Sequence, residues 1–118
     1  MDLRIQSDEG DVLRLELAGR VLRSEFIPDL KPFDDVLGPA GYARSVSLSL
    51  AQTAFIDTRC LGWMLTVHKR FCQAGGRLVI HSVRPQIMEI LTMLRFVEIL
   101  SIVADEAAAL ELLRKGAS

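Results

Sequence analysis

With 118 residues, half of them apolar, and a formal net charge of −1, the chain can build one hydrophobic core and carries no bulk charge to draw nucleic acid or an anionic membrane. No run of about 18 apolar residues exists, so no membrane insertion is expected, and Met1-Asp2-Leu3-Arg4 lacks the basic start and apolar stretch of a secretion signal. Cys60 and Cys72 are the only cysteines. If both lie on one helix they stand roughly 18 Å apart, too far for a disulfide, and two free thiols fit a cytoplasmic location.

Leu3-Arg4-Ile5-Gln6 alternates weakly, Asp8-Glu9-Gly10-Asp11 supplies a turn, and Val12 to Leu17 alternates with leucines inward, which predicts a β-hairpin. Ser24 is a candidate N-cap for an irregular helix carrying Phe26, Ile27, Leu30, Phe33 and Val36-Leu37. Pro28 and Pro32 interrupt it, and Gly38-Pro39-Ala40-Gly41 ends it. Ser45 to Leu50 reads as a strand with Val46, Leu48 and Leu50 on one face and three serines on a lightly covered other face. Ala51-Gln52-Thr53-Ala54 reads as a link.

Helical spacing runs from Thr58 to Gln73, with Gly75-Gly76 as a stop. A strand follows over Arg77 to His81, a helix from Pro85 to about Leu94, a strand over Ile99 to Val103, and a helix capped by Asp105 through Arg114. The order β-β-α-β-α-β-α-β-α predicts an α/β fold: one domain over 1–118, a mixed, mostly parallel sheet with an N-terminal hairpin, and about four helices.

In such sheets ligands and partners meet the loops at the carboxyl ends of strands, where helix N-termini point. Phe55-Ile56-Asp57-Thr58-Arg59-Cys60-Leu61-Gly62 stands at such a junction. Asp57 is placed to cap the next helix and Thr58 to show its hydroxyl near the positive helix end. On the helical wheel Gly62, Thr66, Lys69, Arg70 and Gln73 share a polar sector, while Leu61, Met64, Leu65 and Cys72 lie toward the apolar side. Two local rules are broken here. A mid-helix Gly62 costs roughly 1 kcal/mol against alanine, and Arg59 opposes the helix dipole by about 0.3–1 kcal/mol.

These residues resemble the STAS domains, the family that includes bacterial anti-sigma factor antagonists. The likeness runs through Leu17-Ala18-Gly19, Leu48-Ser49-Leu50, Phe55-Ile56-Asp57-Thr58, Leu61-Gly62, Gly75-Gly76-Arg77-Leu78-Val79-Ile80 and Ser82-Val83-Arg84-Pro85. In that family the junction reads Asp-Ser-Ser-Gly-Leu-Gly, and the first hydroxyl residue after the aspartate is phosphorylated. The resemblance implies partner switching in transcription regulation. The unmodified protein binds an anti-sigma factor that is also a serine/threonine kinase, phosphorylation at Thr58 breaks the complex, and a phosphatase resets it. Asp57, Thr58, Arg59, Gly62, Thr66 and Lys69 are the implied partner-binding residues.

This chain departs from the pattern in three places: Arg59 replaces the second serine, Cys60 replaces the glycine, and Arg95 stands where a small residue or glycine often ends the third helix. Arg20-Val21-Leu22-Arg23 also lacks an acidic residue often found there. A STAS scaffold or regulatory subunit of a transporter or stress-signalling complex is the alternative implication.

No catalytic residue, metal site or cofactor is expected. His68 and Cys72 stand at i,i+4, yet a thiol catalyst needs an orienting group and a metal needs further ligands, so both cysteines are expected as small buried residues. His81 reads as a strand-end polar residue, Trp63 and Phe71 as helix packing, and Met88, Met93 and Leu94 as core. Nucleic acid is not an expected partner.

Overall fold

The computed structural model describes residues 2–21, 31–57 and 61–116. Strands β1 (Asp2–Asp8) and β2 (Leu13–Val21) form the expected antiparallel hairpin, with Leu3 opposite Leu17 and Asp8 opposite Leu13. Its turn follows from local chemistry. Gly10 adopts φ 82°, a conformation that favours glycine, its N–H donates to Asp8 Oδ1 at 3.0 Å, and the Glu9 N–H donates to the Val12 carbonyl at 3.0 Å. Leu13, Leu15 and Leu17 point into the core, as their alternation predicts.

The chain continues through α1 (Lys31–Gly41), β3 (Ser45–Ser49), β4 (Thr53–Ile56), α2 (Leu61–Ala74), β5 (Arg77–His81), α3 (Pro85–Met93), β6 (Ile102–Val103) and α4 (Glu106–Gly116). Among the described residues the sheet has six strands in the order β1-β2-β3-β5-β6, with β4 pairing β2. Every pairing except β1 with β2 is parallel. The fold is α/β, with a mixed, mostly parallel sheet, an N-terminal hairpin and four helices among the described residues.

The main core gathers Leu15, Leu17 and Val21 of β2, Val46 and Leu48 of β3, Phe33 of α1, Trp63, Met64, Val67 and Phe71 of α2, and Ile87 and Leu91 of α3. Trp63 and Phe71 are packing residues here: Trp63 lies 5.4 Å from Phe33 and Phe71 lies 5.1 Å from Tyr42, centroid to centroid.

Several expectations need correction. Thr53–Ile56 is a strand, not a link, because the nine-residue β2 outruns β3 and offers its free end to β4. The Thr53 hydroxyl donates to the Leu17 carbonyl at 2.7 Å and so locks the junction. The Gly38 break is real, at φ 69° and ψ −178°, but helix resumes beyond it to Gly41. Ser24, Phe26, Ile27, Pro28 and Leu30 lie outside the described residues.

The serine face of β3 is covered: Ser47 and Ser49 are buried beneath α4, which packs Ala109 and Leu113 against Val12 and Val79. Small side chains on both surfaces let that helix approach closely. The strand expected over Ile99 to Val103 shrinks to Ile102–Val103, because the Ile99 and Leu100 N–H groups both bond the Phe96 carbonyl in a 3-10 turn over Phe96–Glu98. Met93 is 73% exposed and Leu94 is also exposed, since α3 ends at Met93 and nothing described covers that end.

Candidate functional site

β4 delivers the junction. Ile56 is buried, and the Asp57 N–H donates to the Val21 carbonyl at 2.9 Å, so the carboxyl ends of β2 and β4 hold Asp57 at the sheet margin, half-buried. The neighbouring loops are tied to the same end. The Leu50 N–H donates to the His81 carbonyl at 3.0 Å, and Arg84 Nε donates to the Ala51 carbonyl at 3.0 Å. Thr58, Arg59 and Cys60 lie outside the described residues, and with them the expected cap, the phosphorylatable hydroxyl and the cation at the helix start.

From Leu61 onward α2 divides as its periodicity requires. Leu61, Trp63, Met64, Val67 and Phe71 are buried, whereas Gly62, Thr66, Lys69, Arg70 and Gln73 are exposed. Gly62 has open space around it: a Cβ built there meets nothing within 4 Å. Thr66 donates its hydroxyl to the Gly62 carbonyl at 3.2 Å, which keeps the stripe between them low and polar. Gly62, Thr66 and Lys69 therefore form one solvent-facing strip leading away from Asp57.

Sequence reading overlooked an exposed aromatic residue on β4. Phe55 is exposed on β4 and pairs across the ladder with Arg20, whose guanidinium lies 5.4 Å from the ring centroid. Its signal was the alternation of β4, which sends Phe55 outward when Ile56 turns inward, but that signal needs the segment to be recognised as a strand.

Cys72 departs from expectation by being exposed, with Sγ 3.7 Å from His68 Nε2. It lies one residue beyond the buried Phe71, about 100° round the helix, on the exposed side of its last turn. Among the described residues no group of three metal-ligating side chains converges, and no helix is long and apolar enough to cross a membrane. His81 stands at the end of β5 as expected, but it is buried, and burial pushes its imidazole pKa below the ordinary value.

Comparison with known proteins agrees with this architecture. Solved structures similar to it include the Thermotoga maritima protein TM1081, at 22% identity and TM-score 0.77 over 96% of this chain and 93% of that one. An anti-sigma-factor antagonist (STAS) domain protein from Planctomyces limnophilus matches at 19% identity and TM-score 0.75, over 97% and 99% of the two chains. The Bacillus cell fate determinant SpoIIAA in its phosphorylated form matches at 10% identity and TM-score 0.65, over 94% and 99%. At such identities the likeness is one of fold. The model of the STAS domain family matches residues 5–109, most of the sequence, and the chain belongs to the STAS domain family.

Proposed function

We propose that this chain is an anti-sigma factor antagonist-like regulator that acts by binding rather than by catalysis. Its partner is an anti-sigma factor that is also a serine/threonine kinase, and it docks on the first turns of α2. Phosphorylation of Thr58 by that kinase releases the complex, and a phosphatase restores the unmodified form. The observation that carries this reading is the exposed strip Gly62, Thr66 and Lys69 on the helix that follows Asp57 and the carboxyl end of β4.

The physical logic is electrostatic and steric. A phosphate adds about −1.5 to −2 charge and its own bulk at the centre of a packed contact. Asp57 orients the junction, Gly62 permits close approach of the partner backbone, and Lys69 supplies a charge at the rim. Arg59 tunes partner choice or meets the phosphate. Support comes from membership of the STAS domain family and from the similar fold of SpoIIAA, which exists in a phosphorylated form.

The test is the intact mass of the protein from its own cells before and after phosphatase treatment, with fragmentation to locate the group. A phosphate on Thr58, together with weakened kinase binding by Thr58→Glu in a protein that still folds, is the expected result. If no phosphate is found under activating conditions and Thr58→Glu binds as the parent does, the junction is a fixed docking surface of a scaffold subunit.

A further inference from the structure

The sheet face under α4 holds buried polar groups that the partner-binding strip does not use. Parallel register sets Arg14 beside Ser47 and Ser49 beside His81. Strand alternation puts all four on the face that Val79 shares with Ala109 and Leu113 of α4. His81 is only 2% exposed and Ser47 only 1%. His81 Nδ1 lies 2.9 Å from Ser82 Oγ, while His81 Nε2, Ser47 Oγ and Arg14 Nε are buried with no hydrogen-bond partner among the described residues. Such groups weaken a packed interface, because each has given up water without full replacement.

The apolar contacts of α4 form a cluster of their own, Val12, Val79, Ala109 and Leu113 with the partly buried Val103, Leu110 and Leu112 around them, separate from the main core. Arg14 pairs with Glu106 where both are partly buried, and Arg114 pairs with Glu9 and Asp11 at 2.8 Å each at the protein surface, where ion pairs contribute little. The Asp105 carboxylate caps the helix by accepting from the Ala108 N–H at 2.9 Å. This helix can separate from the sheet as one unit, because its cluster is distinct from the main core.

We propose that α4 is a pH-operated latch: protonation of His81 releases the helix from the sheet and uncovers the serine-bearing face. The charged groups around the imidazole are the Arg14 guanidinium from β2 and the Glu106 and Asp105 carboxylates from the start of α4. Glu16, beside Ser49 on β2, is engaged by the Gln6 amide at 3.0 Å. From β3 the neighbour is Ser49, and from β6 it is Val103, neither of them charged. Glu106 is already held by Arg14, and Asp105 by the helix it caps; both carboxylates favour a cationic His81, but burial outweighs them.

The sign follows from solvation. Burial disfavours the imidazolium, so the closed form binds the proton less tightly than the open form, where water reaches the ring. Acidification below the ordinary value of 6.5 therefore shifts the population toward release.

Hydrogen–deuterium exchange on the full chain at pH 7.5 and pH 5.5, corrected for intrinsic rates, tests this. Protection over residues 106–116 should fall relative to residues 45–49, by at most about tenfold, the limit set by the one pH unit between the ordinary value of 6.5 and pH 5.5. The fall should disappear in His81→Asn and His81→Gln. An unchanged ratio in the wild type, or the same fall in the variants, overturns the latch. Should both variants unfold, the wild type decides by nuclear magnetic resonance: helix protection must follow the titration of the His81 ring, and protection flat across that midpoint overturns the proposal.

Discussion

Arg44 grips the Asp8 carboxylate with two hydrogen bonds, Nη2 to Oδ1 at 2.6 Å and Nη1 to Oδ2 at 3.0 Å. This forked contact ties the end of β1 to the loop that enters β3. The guanidinium, helped by the Gly10 N–H, holds the Asp8 carboxyl down at about 2 from its ordinary 3.8. Because the folded value is the lower one, the contribution of the pair is present above the ordinary value and is lost as pH falls toward 2. A carboxyl-carbon titration should show Asp8 near the low value, and Arg44→Ala should return it toward 3.8. An unmoved midpoint in that variant would show that Arg44 is not the cause.

Gly62→Ala separates folding from binding. The new methyl meets open space, and alanine is favoured over glycine in a helix by about 1 kcal/mol. Urea denaturation should therefore show a more stable protein by about that amount. Binding of the kinase partner should weaken at the same time, because the docking strip loses its lowest point. A variant that is more stable and binds equally well would remove Gly62 from the proposed contact.

Gly76→Ala should damage the fold severely. A Cβ at this position would stand 2.1 Å from the Tyr42 carbonyl oxygen and 2.6 Å from that of Arg44, both of them backbone atoms that cannot swing away. The expected loss is about 3 kcal/mol, at the upper end for overpacking. Gly75→Ala, at φ 84° with free space around it, should cost only about 1 kcal/mol for its left-handed backbone. Equal losses in the two variants would show that β5 can shift to accommodate the methyl.

Arg95→Gly should stabilise the protein. Arg95 sits at φ 64° between α3 and the following 3-10 turn, exposed and making no side-chain cap. Relief of the left-handed strain is worth about 1 kcal/mol. The check is the thermal midpoint, which should rise by roughly 4 °C for a domain of this size. A lower midpoint would mean that Arg95 contributes a contact outweighing its strain.

Some of this molecule was written in local pattern. Asp8-Glu9-Gly10-Asp11 announced the hairpin because a glycine and two aspartates meet the needs of a tight turn. The two faces of α2 followed from 3.6-residue spacing, and Asp105 capped α4 as its position required; the preference for glycine at Arg95, found at φ 64°, came only from the family resemblance. For the candidate site, the exposure of Gly62, Thr66 and Lys69 was legible in the same way.

Tertiary structure decided the rest. Thr53–Ile56 became a strand because the end of β2 was free to pair with it, which carried Asp57 to the sheet margin and turned Phe55 outward over Arg20. Ser47 and Ser49 of β3 and His81 were buried beneath α4, whereas Met93 and Cys72 were left exposed near helix ends. Periodicity in a sequence records which side of an element is apolar, but burial depends on which distant element lies against that side. For that reason the sequence alone determined the class of fold and the exposed strip of α2, and only the packing of α4 revealed a buried histidine beneath it.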